Sequence, residues 1–185
     1  MEIPSLSPQL SELISDFNSA TDRVAQMQRD YSDNDWKRKP GPERWSAIEC
    51  VWHLNRTNEE MLPRIREAMA GLQSKPKHQG KYRLDIIGWF LIKGLSSKSR
   101  FSKFKTTAPF VPKDKMNVRE VLDTFQSLQK DLILAIRDAD GLPLESGRVV
   151  SAFNARVKYN AFSAFKLVAV HELRHLDQAE RAAKN

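Results

Sequence analysis

Residues 161–185 read AFSAFKLVAVHELRHLDQAERAAKN and contain neither glycine nor proline. Apolar side chains recur there every three or four residues, at positions 161, 165, 168, 169, 173 and 176. This spacing is typical of an amphipathic helix and differs from the alternation of a strand. The stretch therefore predicts a long helix whose apolar face other elements must cover.

Two histidines lie on this predicted helix. His171 and His175 are four residues apart, so their rings project from one face, one turn apart. Two such imidazoles can share a divalent cation, and the alternative is a half-buried polar pair at a helix–helix seam. Asp177 and Gln178 are candidates either for accepting hydrogen bonds from the rings or for ordinary solvation. The pair alone lacks a third ligand.

The bulk composition is that of a globular protein. The chain has 185 residues, 41% hydrophobic and 29% charged, which suits a single domain over residues 1–185. No apolar run approaches the roughly 20 residues of a membrane span. The N-terminus shows no secretory signal, and the single cysteine, Cys50, excludes an internal disulfide. We therefore expect a cytoplasmic protein without a membrane segment.

The positive charge is concentrated in one segment. Residues 75–115 hold eleven Lys or Arg and two acids, so this segment carries a charge of +9. The rest of the chain sums to −2, which gives the net charge of +7. We interpret residues 72–116 as a basic insertion with a short helix over 86–95, capped by Asp85 and buried through its crowded apolar face. The basic side chains are candidates for receiving an anionic substrate, and the alternative is a solvated loop.

Three more long helices are predicted from apolar spacing and capping residues. The first spans residues 8–31 and is interrupted by residues 32–35. The second begins at a capping box formed by Ser46 and Glu49 and runs to about residue 71, with a kink or an early end caused by Pro63. The third spans about 117–138, and residues 148–160 are irregular or briefly extended.

These elements predict an all-α fold. Four long amphipathic helices imply an antiparallel four-helix bundle, with the basic insertion between the second and third long helices. No internal repeat, glycine-rich phosphate loop, cysteine-rich zinc motif or Ser–His–Asp hydrolase signature is visible in the sequence.

Four other residues carry side chains that could bind a metal ion or take part in catalysis, and the sequence by itself assigns a site role to none of them. His53, on the second helix, is either a hydrogen-bonded seam residue or a ligand. Cys50 suits an apolar filler, and the capping box accounts for Glu49 more economically than a role as a base. His78 lies in the basic loop and receives no role.

Two motifs in this chain resemble the DinB/YfiT-like superfamily. The first is a Trp-Ser-x-x-Glu helix start, Trp45 to Glu49, with His53 a few residues on. The second is His-Glu-x-x-His-x-x-Gln, residues 171–178, on the last helix. The order, with one histidine on the second long helix and a pair on the fourth, is also similar.

The resemblance implies a four-helix bundle that carries one divalent metal ion, nickel or zinc, on three histidines. The matching positions here are His53, His171 and His175. Proteins of this superfamily are similar to thiol S-transferases that use a low-molecular-weight thiol such as bacillithiol or mycothiol, to metal-dependent isomerases, or to metal-dependent hydrolases. Whether Glu172 turns toward the site or faces solvent stays open, because it lies about 100° from His171.

Three functional hypotheses follow. The first is a metal-dependent enzyme, a thiol S-transferase or a hydrolase, acting on a small molecule in a pocket that the insertion walls. The second is a non-catalytic metal-binding or stress-associated bundle, with a homodimer through an exposed helix face. The third is nucleic-acid binding by residues 75–115, where aromatic residues interleave with the basic ones, but no known binding motif supports it.

Overall fold

The chain is mostly helical, as predicted. A computed structural model describes residues 6–96, 106–112 and 116–184. Within these ranges the helices are α1 Pro8–Asp30, α2 Asp33–Lys37, α3 Ala47–Ala70, α4 Ile86–Ser96, α5 Val118–Asp138 and α6 Ala161–Lys184. Short 3₁₀ turns span Ala108–Phe110 and Leu144–Ser146, and strands β1 Arg148–Val150 and β2 Lys158–Asn160 form an antiparallel hairpin. None of the described helices combines the length and apolar character that crossing a membrane requires.

Side-chain caps fix where the helices begin. Ser7 accepts a hydrogen bond from the Leu10 amide at the start of α1, and the predicted capping box is present at the start of α3. A second capping box, between Ser32 and Asp35, was not predicted. It starts the short helix α2 where the sequence analysis expected only an interruption, and α2 buries Trp36 against α3.

Helix α3 continues past Pro63, the position where a kink or an early end was predicted. Pro63 lies inside α3, which continues to Ala70. Proline removes one hydrogen bond from the helical ladder, but burial of apolar residues on both sides of it holds the helix together. Met61 and Leu62 precede Pro63 on this buried face, and Ile65 and Met69 follow it.

Two pairs of the long helices run parallel. Near the start of α6, Lys166 pairs with Asp16 of α1, and further along both helices Asp177 pairs with Arg23. Helix α3 keeps the same relation to α5. The Asn55 side chain donates to the Val121 carbonyl near both helix starts, and Arg66 pairs with Asp131 further on.

The other two contacting pairs, α1 with α5 and α3 with α6, run antiparallel. The Ser7 amide at the start of α1 donates to Asp140 just beyond the end of α5. The first half of α3 shares its apolar contacts with the second half of α6. The predicted antiparallel arrangement therefore describes two of the four contacting pairs. The sequence pattern could not show this, because amphipathic spacing carries no information on helix direction.

Buried apolar side chains form two clusters, one toward each end of the long helices. Buried polar residues of α3, α5 and α6 lie between the two clusters and separate them. We call this set the polar layer, and its fully buried members are Asn55, Thr57, Asn58, Gln129 and Glu172.

The segment between α3 and α5 has a topological task. Because these two helices are parallel, the chain must return along the body by about the length of α5, roughly 30 Å at 1.5 Å per residue. Helix α4 lies on this return path and packs against α6. The contact is close because Gly88 lies directly against Ser163 of α6.

The prediction that α4 is buried through a crowded apolar face is wrong for one side of the helix. Gly88 is buried, but Ile86, Trp89 and Phe90 are exposed. The short helix was predicted correctly from its capping Asp85, which accepts a hydrogen bond from the Gly88 amide. Apolar composition alone did not tell which side of α4 would find a partner.

We expect Gly88→Ala to loosen α4 from α6. A Cβ at Gly88 would lie 2.2 Å from the Ser163 Oγ and 2.4 Å from its Cβ, so the helix must shift. Overpacking of this kind costs about 1–3 kcal/mol. The measurement is hydrogen exchange of the α4 amides, together with denaturant unfolding.

The matched control is Gly71→Ala, since a Cβ there meets only the Ala68 carbonyl oxygen, at 3.7 Å. That variant should keep the exchange rates of the wild type in α4. Equal protection of α4 in both variants would contradict the close approach of α4 and α6 at Gly88.

Candidate metal centre

The start of α3 fixes the first of the three histidines. The Ser46 amide donates to the Glu49 Oε2 at 2.7 Å, and the Glu49 amide lies 3.4 Å from the Ser46 Oγ. Lys39 pairs with the other carboxylate oxygen at 2.8 Å. These contacts hold the first turn of α3, so His53 lies at a defined depth, where it is 2% exposed.

The connection between α3 and α5 orients the His53 ring. The His53 Nδ1 lies 2.9 Å from the Phe110 carbonyl oxygen, in the 3₁₀ turn of Ala108–Phe110. A carbonyl oxygen only accepts, so the ring proton resides on Nδ1 and the Nε2 lone pair points away from Phe110. A backbone group of the connection between α3 and α5 thus selects the tautomer of His53.

The three predicted histidines converge. The His53 Nε2 lies 3.2 Å from the His171 Nε2. The ring centroids are 4.6 Å apart from His53 to His175 and from His171 to His175. One nitrogen from each ring lies within 4.8 Å of the other two. The i, i+4 pair on α6 and the single histidine on α3 therefore form one cluster across the antiparallel α3–α6 contact.

All three rings favour the neutral form. Burial lowers the pKa of His53, and burial lowers the pKa of His175 to about 3, with His53 and Arg174 adding to the effect. The pKa of His171 falls well below its usual range because of burial and then of its neighbours His175, His53 and Arg174. A neutral imidazole keeps a nitrogen lone pair, which is the form that binds a metal ion.

The ring nitrogens fit a bound cation. The Nδ1 atoms of His171 and His175 are buried and have no hydrogen-bond partner among the described residues. Because the His53 proton resides on Nδ1, the lone pair of its Nε2 faces the His171 Nε2 and is available to a cation. Two ligands of a tetrahedral ion with bonds of about 2.0–2.1 Å lie about 3.3 Å apart. The 3.2 Å between His53 and His171 is close to that separation.

A pocket of about 660 Å³ opens onto the three rings. Trp45 covers one side, with its ring centroid 4.9 Å from that of His53 and 5.9 Å from that of His175. Phe153, from the turn between β1 and β2, lies 5.8 Å from the His171 ring. The remaining apolar lining comes from α3, α4, β2, the turn before it and α6, through Met61, Leu91, Leu95, Val157, Tyr159, Leu167 and Val168.

Charged residues lie at the polar part of this pocket. Glu43, Arg44 and Arg174 line it, and the Arg174 guanidinium donates to the Leu95 carbonyl of α4 at 3.0 Å. The threonines at positions 106 and 107 also line the pocket, so described residues of the connection between α3 and α5 border it together with α4.

Glu172 points into the core and not toward solvent. Its Oε1 accepts hydrogen bonds from the Asn58 side chain at 2.6 Å and from the Gln129 side chain at 2.8 Å. Burial raises its pKa to about 7, against the opposing effect of these two hydrogen bonds. The sequence contained the signal, because Phe165, Ala169, Glu172, Leu176 and Ala179 follow the helical spacing of the buried face.

The other candidates lie outside the ring cluster. Glu49 serves as the cap of α3. Cys50 is fully buried and burial raises its pKa to about 12, so it is an inert apolar filler, as the sequence favoured. Asp177 pairs with Arg23 on the surface and does not orient a ring, whereas Gln178 lines the pocket beside His175.

His78 also lies apart from the cluster. Its ring stacks on Tyr82 with centroids 4.2 Å apart, and its Nδ1 lies 3.4 Å from the Glu145 carboxylate. These contacts agree with the sequence analysis, which gave His78 no role in the site. The Phe110 carbonyl was missed, because a main-chain acceptor leaves no mark in a sequence.

We expect Glu172→Ala to lower the free energy of unfolding by about 2–4 kcal/mol. The change leaves the buried donors of Asn58 and Gln129 without an acceptor and opens a cavity between the two apolar clusters. Denaturant unfolding measures the loss. The control is Glu180→Ala, which removes a partly exposed ion pair with Arg23 and should cost about 0–1 kcal/mol. Equal losses in the two variants would contradict the role of Glu172 in the polar layer.

The comparisons with known proteins agree with this geometry. The family model described as the DinB superfamily matches residues 16–179, a range that includes His53, His171 and His175. Neither the curated proteins nor the solved structures include a significant match. Because the family model spans most of the chain, and because the two motifs that resemble this family meet at one site, the chain belongs to the DinB superfamily.

Proposed function

We propose that this protein binds one divalent metal ion, nickel or zinc, through His53, His171 and His175 and uses it to act on a small molecule. One observation carries the proposal: three neutral imidazoles converge at the base of a largely apolar pocket. Three protein ligands leave coordination positions for substrate, as in catalytic sites, whereas structural sites are filled by four.

We also propose a finer description of the fold. The four long helices form a DinB-type four-helix bundle, and residues 72–116 are an insertion in the single domain. The contacts between α1, α3, α5 and α6 support the first part. The Phe110 carbonyl on His53 supports a role for the insertion in the site.

The chain's own residues prepare the site for chemistry. A divalent cation bound there supplies a Lewis acid that lowers the pKa of a bound water or thiol. The Phe110 carbonyl holds the His53 ring in the tautomer that presents Nε2. Trp45 and Phe153 cover the rings and limit the access of bulk water. The long apolar wall receives the body of a substrate.

Transfer of a low-molecular-weight thiol to an electrophile is the reaction that we favour, and hydrolysis is the second. Among the described residues that line the pocket, Glu43 is the one carboxylate, and it lies at the exposed rim. A hydrolase commonly uses a carboxylate or histidine as general base, and here the histidines are the proposed ligands. The guanidinium groups of Arg44 and Arg174 suit an anionic thiol.

The alternative is a non-catalytic metal-binding or stress-associated helical protein. The close packing of Trp45 on His53 and His175 favours it, because Trp45 covers one side of the rings and limits access to a bound ion. An ion held by these histidines would also join α3 to α6 and so stabilise the fold. Under this alternative, metal removal lowers stability and no turnover accompanies metal binding.

We expect His53→Ala, His171→Ala and His175→Ala each to abolish stoichiometric metal binding, because a site with two histidines is much weaker than one with three. Wild-type protein should carry about one nickel or zinc ion per chain. The measurement is metal content by mass spectrometry of untagged protein after incubation with divalent ions and removal of the excess.

The matched control is His78→Ala, which removes a histidine stacked on Tyr82 and should leave metal content unchanged. Full occupancy in any one of the three variants removes that residue from the ligand set. The metal-loaded wild type should then catalyse thiol addition to small electrophiles, and the His175→Ala variant should not. Metal binding without turnover on thiol or hydrolytic substrates would favour the non-catalytic alternative.

A further inference from the structure

Helix α4 is apolar on two opposite sides. Its inner side packs on α6 through Gly88 and lines the pocket through Leu91 and Leu95. Its outer side exposes Ile86, Trp89 and Phe90, which are 86%, 51% and 69% exposed. Large apolar side chains grouped on the surface mark an interaction site, whereas scattered ones need no explanation.

The exposed residues form a single stripe. Successive helix residues are rotated by about 100°, so Ile86, Trp89 and Phe90 fall within a sector of about 100°. Ile87, which is 45% exposed, lies about 60° beyond the edge of this sector. Lys93 lies in the same sector and its ammonium group is 4.9 Å from the Trp89 ring centroid. We call the four residues within this sector the outer face of α4. Its apolar part is covered by none of the residues that the structure describes.

The surroundings of the outer face are positively charged. Lys81 and Arg83 precede α4 and are exposed. In the described part of the connection between α3 and α5, the one acidic residue is Asp85. Its carboxylate already pairs with Arg148 at 3.1 Å and accepts hydrogen bonds from the Gly88 and Asn160 amides.

We propose that α4 docks the protein onto an anionic membrane surface. Ile86, Trp89 and Phe90 enter the headgroup region, and Lys81 and Lys93 contact lipid phosphates. Aromatic and aliphatic side chains bordered by lysine and arginine are typical of helices that lie in the membrane interface. The 11 residues of α4 span about 16 Å, about half of a bilayer core, so the helix lies on the membrane.

Charge and area favour this partner over a second copy of the chain. Two copies joined through their outer faces would bring the same positive charges together. The partly exposed side chains of Ile86, Ile87, Trp89 and Phe90, of which the two aromatic ones have at most about 150–250 Å² each, also fall short of the roughly 800 Å² per partner of a stable interface. A nucleic acid would pair with the basic groups but would leave Ile86 and Phe90 in water.

The test is sedimentation of the full-length protein with vesicles of phosphatidylcholine, alone or mixed with an equal part of phosphatidylglycerol. We expect binding to the mixed vesicles, weakened by salt, and little binding to the neutral ones. The double variant Ile86→Ser with Phe90→Ser should reduce partitioning about tenfold or more, since both wild-type side chains would bury apolar surface in the membrane. Both residues are exposed, so the fold should persist, as circular dichroism would check.

The control variant is Leu134→Ser, which removes an apolar side chain of α5 that is 52% exposed and should not change partitioning. Failure of the wild type to sediment with the mixed vesicles at low salt would overturn the proposal. Equal partitioning of the double variant and the wild type would overturn it as well. A wild-type dimer that the double variant converts to a monomer would assign the outer face to a second copy. Competition by an oligonucleotide, with the same loss in the double variant, would assign the face to nucleic acid.

Discussion

The polar layer in the middle of the core is the constraint on which the rest of the structure depends. Glu172 lies in this layer between two apolar clusters, where charge and unpaired polar atoms are costly, and the three histidine rings line the pocket. The Glu172 Oε1 accepts hydrogen bonds from donors on α3 and α5, which joins three helices at one level, whereas its Oε2 has no partner among the described residues. One nitrogen of each histidine ring converges on a common point, and a bound cation would use the lone pairs of these nitrogens.

The topology explains how the connection between α3 and α5 comes to serve the site. Parallel α3 and α5 require a long return connection, and that connection passes the open side of the histidine cluster. It contributes the Phe110 carbonyl that orients His53 and the α4 residues that wall the pocket. Gly88 permits the close contact that keeps α4 on α6. One segment therefore connects parallel helices, shapes the pocket and exposes an apolar face beside it.

The sequence predicted the long helices well, because they depend on local signals. The resemblance to the family proposed His53, His171 and His175 as one ligand set, and their rings converge in the structure. Apolar spacing and the capping box of Ser46 and Glu49 predicted the bounds of the long helices to within a residue or two. The two motifs indicated the family. Helix directions, the Phe110 carbonyl and the exposed side of α4 depend on contacts between distant residues, which spacing does not encode. The orientation of Glu172 stayed open in the sequence because this residue lies about 100° from His171, and the structure places it on the buried face of α6.

Anomalous X-ray diffraction from crystals of the metal-loaded protein tests the central claim most directly. Data collected at the absorption edge of the bound nickel or zinc locate the ion independently of the protein coordinates. The account predicts one strong peak about 2.0–2.1 Å from one nitrogen of each of His53, His171 and His175. A peak at other residues, or the three rings in mutual contact without an ion in fully metal-treated crystals, would contradict it.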